Sequence, residues 1–200
     1  MSSDLETLNA LPAREAEARF LSCCGSSEWA RRMAASRPFR SAESLAAAAD
    51  RTWRDLSASD WLEAFAAHPP IGVAGTGLSK SRGQVPKGPA PATVQDLHPP
   101  PNYPASNPDR SLSWARQEQS GTRGADPETL AELSKLNREY ADRFGRVFLV
   151  CATGRSAAEM LALGRKRLEN DAETELAIAA EEQRKITRLR LEKLLSPTER

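Results

Sequence analysis

A histidine held between a helix and two prolines is the first place in this chain where residue types and spacing point to chemistry. The stretch is Trp61-Leu62-Glu63-Ala64-Phe65-Ala66-Ala67-His68-Pro69-Pro70-Ile71-Gly72. Proline cannot donate to the helical ladder and restricts the residue before it, so the helix must stop at His68. A helix C-terminus carries partial negative charge, which favours the imidazolium form. An imidazole so placed is suited to meet an anionic substrate or to move a proton near neutral pH. The other histidine, His98, also precedes two prolines, but no amphipathic helix stands behind it to fix its position.

Three further groups bear on the chemistry. Glu118-Gln119 supplies a carboxylate and a carboxamide, Val147-Phe148-Leu149-Val150-Cys151 is a short continuous apolar run, and Arg184, Arg188 and Arg190 cluster near the C-terminus. Each has a plainer reading: a capping histidine, solvated helix-surface polar residues, core packing, and a solvated face paired to acids such as Glu181. Arg184 and Arg188 are four apart and share a face, whereas Arg190 points elsewhere. Cys23, Cys24 and Cys151 form no CxxC, there is no HExxH, and the ligand spacings do not suit a metal. Buried free thiols are the expected state.

The elements that must position these groups read as helices. Alanine, leucine, glutamate and arginine dominate while valine and isoleucine are scarce. Pro12 opens a helix that Gly25 closes, Ser26 or Ser27 starts a second, and Ser41 a third. Ser57-Ala58-Ser59-Asp60 is a capping box launching the helix that ends at His68. Helical character returns from Leu112 to Gly121. Asp126-Pro127 caps a helix running to Gly145, Ser156-x-x-Glu159 opens another, and a last long helix covers about 173–195. The apolar run at 147–151 is either a buried extended segment or a buried helix end, and periodicity does not decide between them. Residues 73–110, crowded with Gly, Pro, Ser and Lys, read as a flexible insertion or lid within a single domain spanning 1–200.

Composition removes several classes of function. A charged fraction of 28% with a net charge of only +1 gives no global pull toward nucleic acid or an anionic membrane surface. No apolar run approaches the roughly 20 residues needed to span a bilayer, and the N-terminal residues lack signal-peptide character. A cytoplasmic protein is expected.

Taken together and in order, the motifs resemble one family. They are Cys23-Cys24-Gly25 with Trp29, Ala67-His68-Pro69-Pro70-Ile71-Gly72, Trp114 with Glu118-Gln119-Ser120-Gly121, Phe148 through Cys151 with Gly154-Arg155-Ser156, Asn170-Asp171-x-x-Thr174-Glu175-Leu176, and Ile186-x-Arg188-Leu189-Arg190-Leu191. The family is 2-oxo-4-hydroxy-4-carboxy-5-ureidoimidazoline (OHCU) decarboxylase, which forms (S)-allantoin at the end of urate breakdown. The resemblance implies an all-α, compact multi-helix bundle, a homodimer, and catalysis without metal or organic cofactor. It implies His68 as catalytic histidine, Pro69 as a substrate contact, and Glu118 and Gln119 as the family's Glu-Gln pair. The backbone of Val147, Phe148, Leu149 and Val150 would face the substrate's ring and ureido amides, and the substrate-binding arginine falls on Arg188. Urate oxidase and hydroxyisourate hydrolase are the implied pathway neighbours. The chain departs from the family pattern at Pro70, at Ala115, at Arg146-Val147, and in the long connection between His68 and Glu118.

A non-catalytic helical interaction module is the competing reading, and it predicts that Glu118 and Arg188 are exposed and do not converge on His68. RNA binding through the last helix is a third, weakened by the interleaved Glu173, Glu175, Glu181, Glu182 and Glu192.

Overall fold

The computed structural model describes residues 3–72 and 108–196. Among the described residues there are nine α-helices and no strands: α1 (Ser3–Ala10), α2 (Ala13–Cys24), α3 (Ser27–Ala35), α4 (Ala42–Arg54), α5 (Ala58–Ala66), α6 (Pro108–Glu118), α7 (Pro127–Phe144), α8 (Ala157–Arg167) and α9 (Ala172–Leu194). A short 3₁₀ turn, Ser120–Thr122, follows α6. The expected all-helical class is therefore correct. Most of the stretch read as an insertion, 73–107, lies outside the described residues, as does His98, whereas 108–110 form the first turn of α6.

The local signals explain why these helices start and stop where they do. Ser26, Ser41, Ser57, Asp126, Ser156 and Asp171 each accept a hydrogen bond from the backbone N–H three residues on, and Ser41, Ser57 and Ser156 complete reciprocal capping boxes. Gly25 and Gly145 end α2 and α7 in the left-handed conformation. Gly25 has a second duty, because a Cβ there would lie 2.7 Å from the Cβ of Ala67. That close approach lets the C-terminus of α5, and with it His68, rest directly on the end of α2.

Two apolar clusters make the core. The larger joins α1–α5 with α9 through Phe20, Trp29, Met33, Leu45, Trp53, Phe65 and Ile186. The smaller joins Ile71, α7 and α8 to the 148–152 segment through Leu133, Tyr140, Phe148 and Met160. Buried tryptophan N–H groups find backbone partners across helices, Trp29 on Ala49 O (3.2 Å) and Trp53 on Ala180 O (3.0 Å). α9 packs against α2, α4 and α5, the helix that leads into His68.

The sequence pattern of α9 misreads part of its inward face. The apolar stripe Leu176, Ala180, Ile186, Leu189 and Leu194 is the inward face its sequence suggests; Ala180 and Ile186 are buried and the three leucines only partly so, while Glu175, Glu182, Gln183, Thr187 and Arg190 are buried. Residues 147–152 resolve the earlier ambiguity: they are neither helix nor strand but a buried irregular segment. Buried peptide groups need partners, and ionic side chains provide them. Arg167 Nη1 donates to Leu149 O (2.6 Å), Arg155 Nε to Cys151 O (3.2 Å), and Cys151 N–H to Glu182 Oε2 (2.8 Å).

Candidate active site

His68 lies just beyond the last helical residue of α5 rather than on its final turn, with its N–H donating to Phe65 O (3.1 Å). The chain after it is pinned on two sides. Asn137 Nδ2 of α7 donates to Ile71 O (2.9 Å), and Gly72 N–H donates to Gln119 Oε1 (3.2 Å). α5 itself is anchored by Glu63, whose carboxylate accepts from Ser27 N–H (3.0 Å) at the N-terminus of α3, where negative charge is favoured. On the far side, Gly121 permits the turn after Gln119 to press against the 155–156 backbone, since a Cβ there would lie 1.9 Å from Arg155 O.

These constraints close a narrow cleft of about 20 Å³, partly open to solvent, lined by His68, Pro69, Ala115, Glu118, Gln119, Phe148, Leu149 and Val150, among others. The sequence-derived residues His68, Pro69, Glu118, Gln119, Phe148, Leu149 and Val150 thus meet in one place. Val147 is half-buried and does not line the cleft.

Arg188 is not brought there. It is exposed, and its Nη2 pairs with Asp50 of α4 at 3.3 Å, beside Arg184 on the same carboxylate (3.1 Å). Arg190 occupies the interior instead. Its Nε and Nη2 donate to Glu118 Oε1 and Oε2 at 3.0 and 2.8 Å, in a bidentate pair with both side chains buried. Lys193 Nζ adds a contact to Glu118 Oε1 at 3.4 Å. The reason is helical geometry: two residues turn the chain by about 200°, so Arg188 and Arg190 face nearly opposite ways. The signal that finds Arg190 is its spacing from Gln183 and Thr187, seven and three residues earlier, on the face that also carries Ile186.

Electrostatics separate the groups. Burial drives the His68 pKa down, the nearby Arg190 charge adds to this, and Glu118 and Gln183 oppose it, leaving a value of about 3. The expectation of a protonated imidazole at the helix terminus is therefore reversed, because enclosure outweighs the helix dipole. Burial of Glu118 opposes its ionisation, but the Arg190 hydrogen bonds and charge, with Lys193 and His68, hold its carboxyl below the ordinary range. Cys23 and Cys24 are buried thiols pushed up to about 12 by burial, which makes them poor nucleophiles. Among the described residues no cluster of His, Cys, Asp or Glu could hold a metal ion.

Fold and cleft define an all-helical domain that brings a neutral imidazole and an ionised carboxylate to one cleft, with a buried guanidinium paired to that carboxylate but not itself in the lining. A family model described as OHCU decarboxylase matches residues 9–86 and 97–192. The chain belongs to the OHCU decarboxylase family. Over 174 residues it is 37% identical to the uric acid degradation bifunctional protein TTL of Arabidopsis thaliana, covering 87% of this chain and 45% of that protein. Over 83 residues it is 35% identical to 2-oxo-4-hydroxy-4-carboxy-5-ureidoimidazoline decarboxylase of Amia calva, covering 42% of this chain and 47% of that one. The chain thus spans less than half the length of these relatives. A crystal structure of OHCU decarboxylase in the presence of (S)-allantoin superposes with a TM-score of 0.65 and 33% identity, covering 90% of this chain and 99% of that one.

Proposed function

We propose that this protein decarboxylates OHCU to (S)-allantoin in urate degradation, without a metal or organic cofactor. One observation carries the reading: His68, Glu118 and Gln119 line one cleft in a chain of the OHCU decarboxylase family. The substrate bears a carboxylate and a hydroxyl on one ring carbon, next to a carbon doubly bonded to a ring nitrogen. When the carboxylate bond breaks, its electron pair forms a double bond to that neighbour, and the C=N pair moves onto nitrogen, which takes a proton. Loss of the hydroxyl proton and protonation of the neighbouring carbon on one face then give the ketone and the (S) centre. One proton is taken up per turnover.

In this scheme neutral His68 is the base for the hydroxyl proton and returns it to carbon, help typically worth ~10²–10⁴-fold. Gln119 and the backbone at Phe148, Leu149 and Val150 orient the ring and ureido group beside Pro69. Arg190, rather than Arg188, supplies the positive charge for anionic oxygen, with Glu118 holding the guanidinium in place. The interaction-module reading expected Glu118 and Arg188 exposed and away from His68; Arg188 is so placed, but the Glu118 carboxylate is buried and acts on the imidazole.

Urate oxidase and hydroxyisourate hydrolase are the neighbours that would supply the substrate, and the family resemblance extends to a homodimer and a cytoplasmic location. No helix among the described residues is long and apolar enough to cross a membrane. The test generates OHCU in situ from urate with those two enzymes and follows circular dichroism. The expected result is (S)-allantoin forming at a rate proportional to added protein. Racemic allantoin at the spontaneous rate would overturn the reading.

A further inference from the structure

Next to His68, and outside the lining of the cleft, sits a buried glutamine that the catalytic scheme leaves unused. Gln183 of α9 is fully enclosed (0% exposed). Its Nε2 donates to Cys24 O (3.1 Å) and to Thr187 Oγ1 (3.2 Å), so both amide protons are committed. Cys24 O is one of the terminal carbonyls of α2 that no helical N–H can reach, and Gln183 satisfies it. Rotating the amide by 180° would set Oε1 against that carbonyl, acceptor against acceptor. The orientation of the carboxamide is thereby fixed by its surroundings.

Fixed in this way, Gln183 presents only an acceptor to its remaining neighbour. Gln183 Oε1 has no hydrogen-bond partner, and neither has the enclosed Nε2 of His68. The carboxamide acts on the imidazole as an acceptor, alongside the charges of Arg190 and Glu118, which also face it. Two adjacent buried orphans, each costly alone, are complementary if the imidazole proton sits on Nε2. We propose that Gln183 is a positioning residue that holds neutral His68 as the Nε2–H tautomer, leaving Nδ1 as the nitrogen that takes the substrate's proton. The catalytic part of this rests on the decarboxylase reading above. The tautomer itself does not.

The two are separable by experiment. Nitrogen-15 NMR of histidine-labelled resting protein reads the tautomer directly. The chain has two histidines, and a His98→Gln variant assigns the signals. The expected spectrum has a protonated Nε2 and an unprotonated Nδ1 for His68; an Nδ1–H tautomer, or a mixture of the two, overturns the proposal without touching the decarboxylase reading. In turnover, Gln183→Leu should lower kcat about tenfold, part of the acid–base contribution, with KM within about twofold. Gln183→Glu, which restores an acceptor, should recover the Nε2–H tautomer and move the acid limb of the pH–rate profile upward. Unchanged kcat and pH profile in Gln183→Leu would also overturn the proposal. By contrast, full activity in His68→Asn would sink the catalytic scheme and leave the tautomer measurement standing.

Discussion

Two buried arginine–glutamate pairs, Arg167–Glu175 and Arg190–Glu118, are finished differently. In the first, Arg167 Nε donates to Glu175 Oε1 (2.8 Å), Asn170 Nδ2 donates to Oε2 (2.8 Å), and the Tyr140 hydroxyl closes onto the same carboxylate. Arg167 also donates to Leu149 O and stands over the Phe148 ring at 5.0 Å. Each of its charged groups has a partner. In the second, Arg190 and Lys193 satisfy Glu118, yet the neighbouring His68 Nε2 and Gln183 Oε1 have none. A buried ionic network with every partner supplied fixes backbone; the second leaves two polar groups outside its ion pairs that are complementary to each other. The first ties down the Leu149 carbonyl in the wall of the cleft, and the second contributes Glu118 to its lining and sets the charge around His68.

This contrast breaks most visibly at His68. His68→Asn should cost ~10²–10⁴-fold in kcat and most of the (S) selectivity, measured by circular dichroism with OHCU generated in situ. Thermal unfolding should change little, since a small polar side chain replaces the imidazole and only its pairing with Gln183 Oε1 is lost. A variant that kept its rate and lost its stability would place His68 with the wall rather than with the reacting groups.

The opposite pattern is expected on the closed side. Arg167→Met leaves Glu175, which is 0% exposed, without its countercharge. Stranding one member of a buried pair costs about 3–5 kcal/mol, a large part of the roughly 5–15 kcal/mol that keeps a domain folded. Urea unfolding should show the midpoint falling accordingly. Replacing both partners, Arg167→Met with Glu175→Leu, should recover much of that loss, because an apolar pair is often no less stable than the ionic one. If the single variant unfolds like the wild type, the two networks are not different in kind.

A smaller effect comes from protons. The His68 pKa is about 3 when folded against 6.5 for a free imidazole. Between those values the unfolded chain binds a proton that the folded protein refuses, so stability falls as pH drops through that window. Glu118 adds a loss of the same sign: its folded pKa is lowered, and its contribution, present above the ordinary value of 4.5, disappears as pH falls through the folded one. Denaturation curves of wild type and His68→Asn, compared from pH 7 downward, should diverge from about 6.5, with the wild type losing more. The kcat/KM profile should show no acid limb near 6.5, since the imidazole is already neutral there.

The sequence made the helix boundaries readable because capping is local: Ser57 and Asp60, or Ser156 and Glu159, sit three residues apart and interact with their own backbone. α1 was not anticipated, since only Leu5 and Leu8 are buried among residues 4–10 and no stripe announces it. The family motifs located His68, Glu118 and Gln119. The protonation state of His68 was not legible, because it depends on enclosure by elements distant in the chain. The polar inward face of α9 was hidden for a related reason: Glu182, Gln183 and Arg190 look solvated by type, and only tertiary partners make them interior.

Arg188 and Arg190 bring the contrast down to two residues of one helix, and here the smallest effect is the informative one. The Arg188 side chain is 47% exposed, and Arg184 also pairs with Asp50, so the carboxylate keeps a partner if Arg188 is lost. Exposed pairs of this kind are worth about 0–1 kcal/mol. Arg188→Ala should therefore shift the unfolding midpoint marginally and leave kcat/KM within about twofold of wild type. Arg190→Ala, two residues further on, strands the buried Glu118 carboxylate and removes the positive charge paired with it. It should lower both stability and kcat/KM, the latter by much more than Arg188→Ala. An Arg188 variant with the larger kinetic defect would return the substrate-anchoring role to Arg188, as the family motif alone suggests, and make the Arg190–Glu118 pair a second piece of wall.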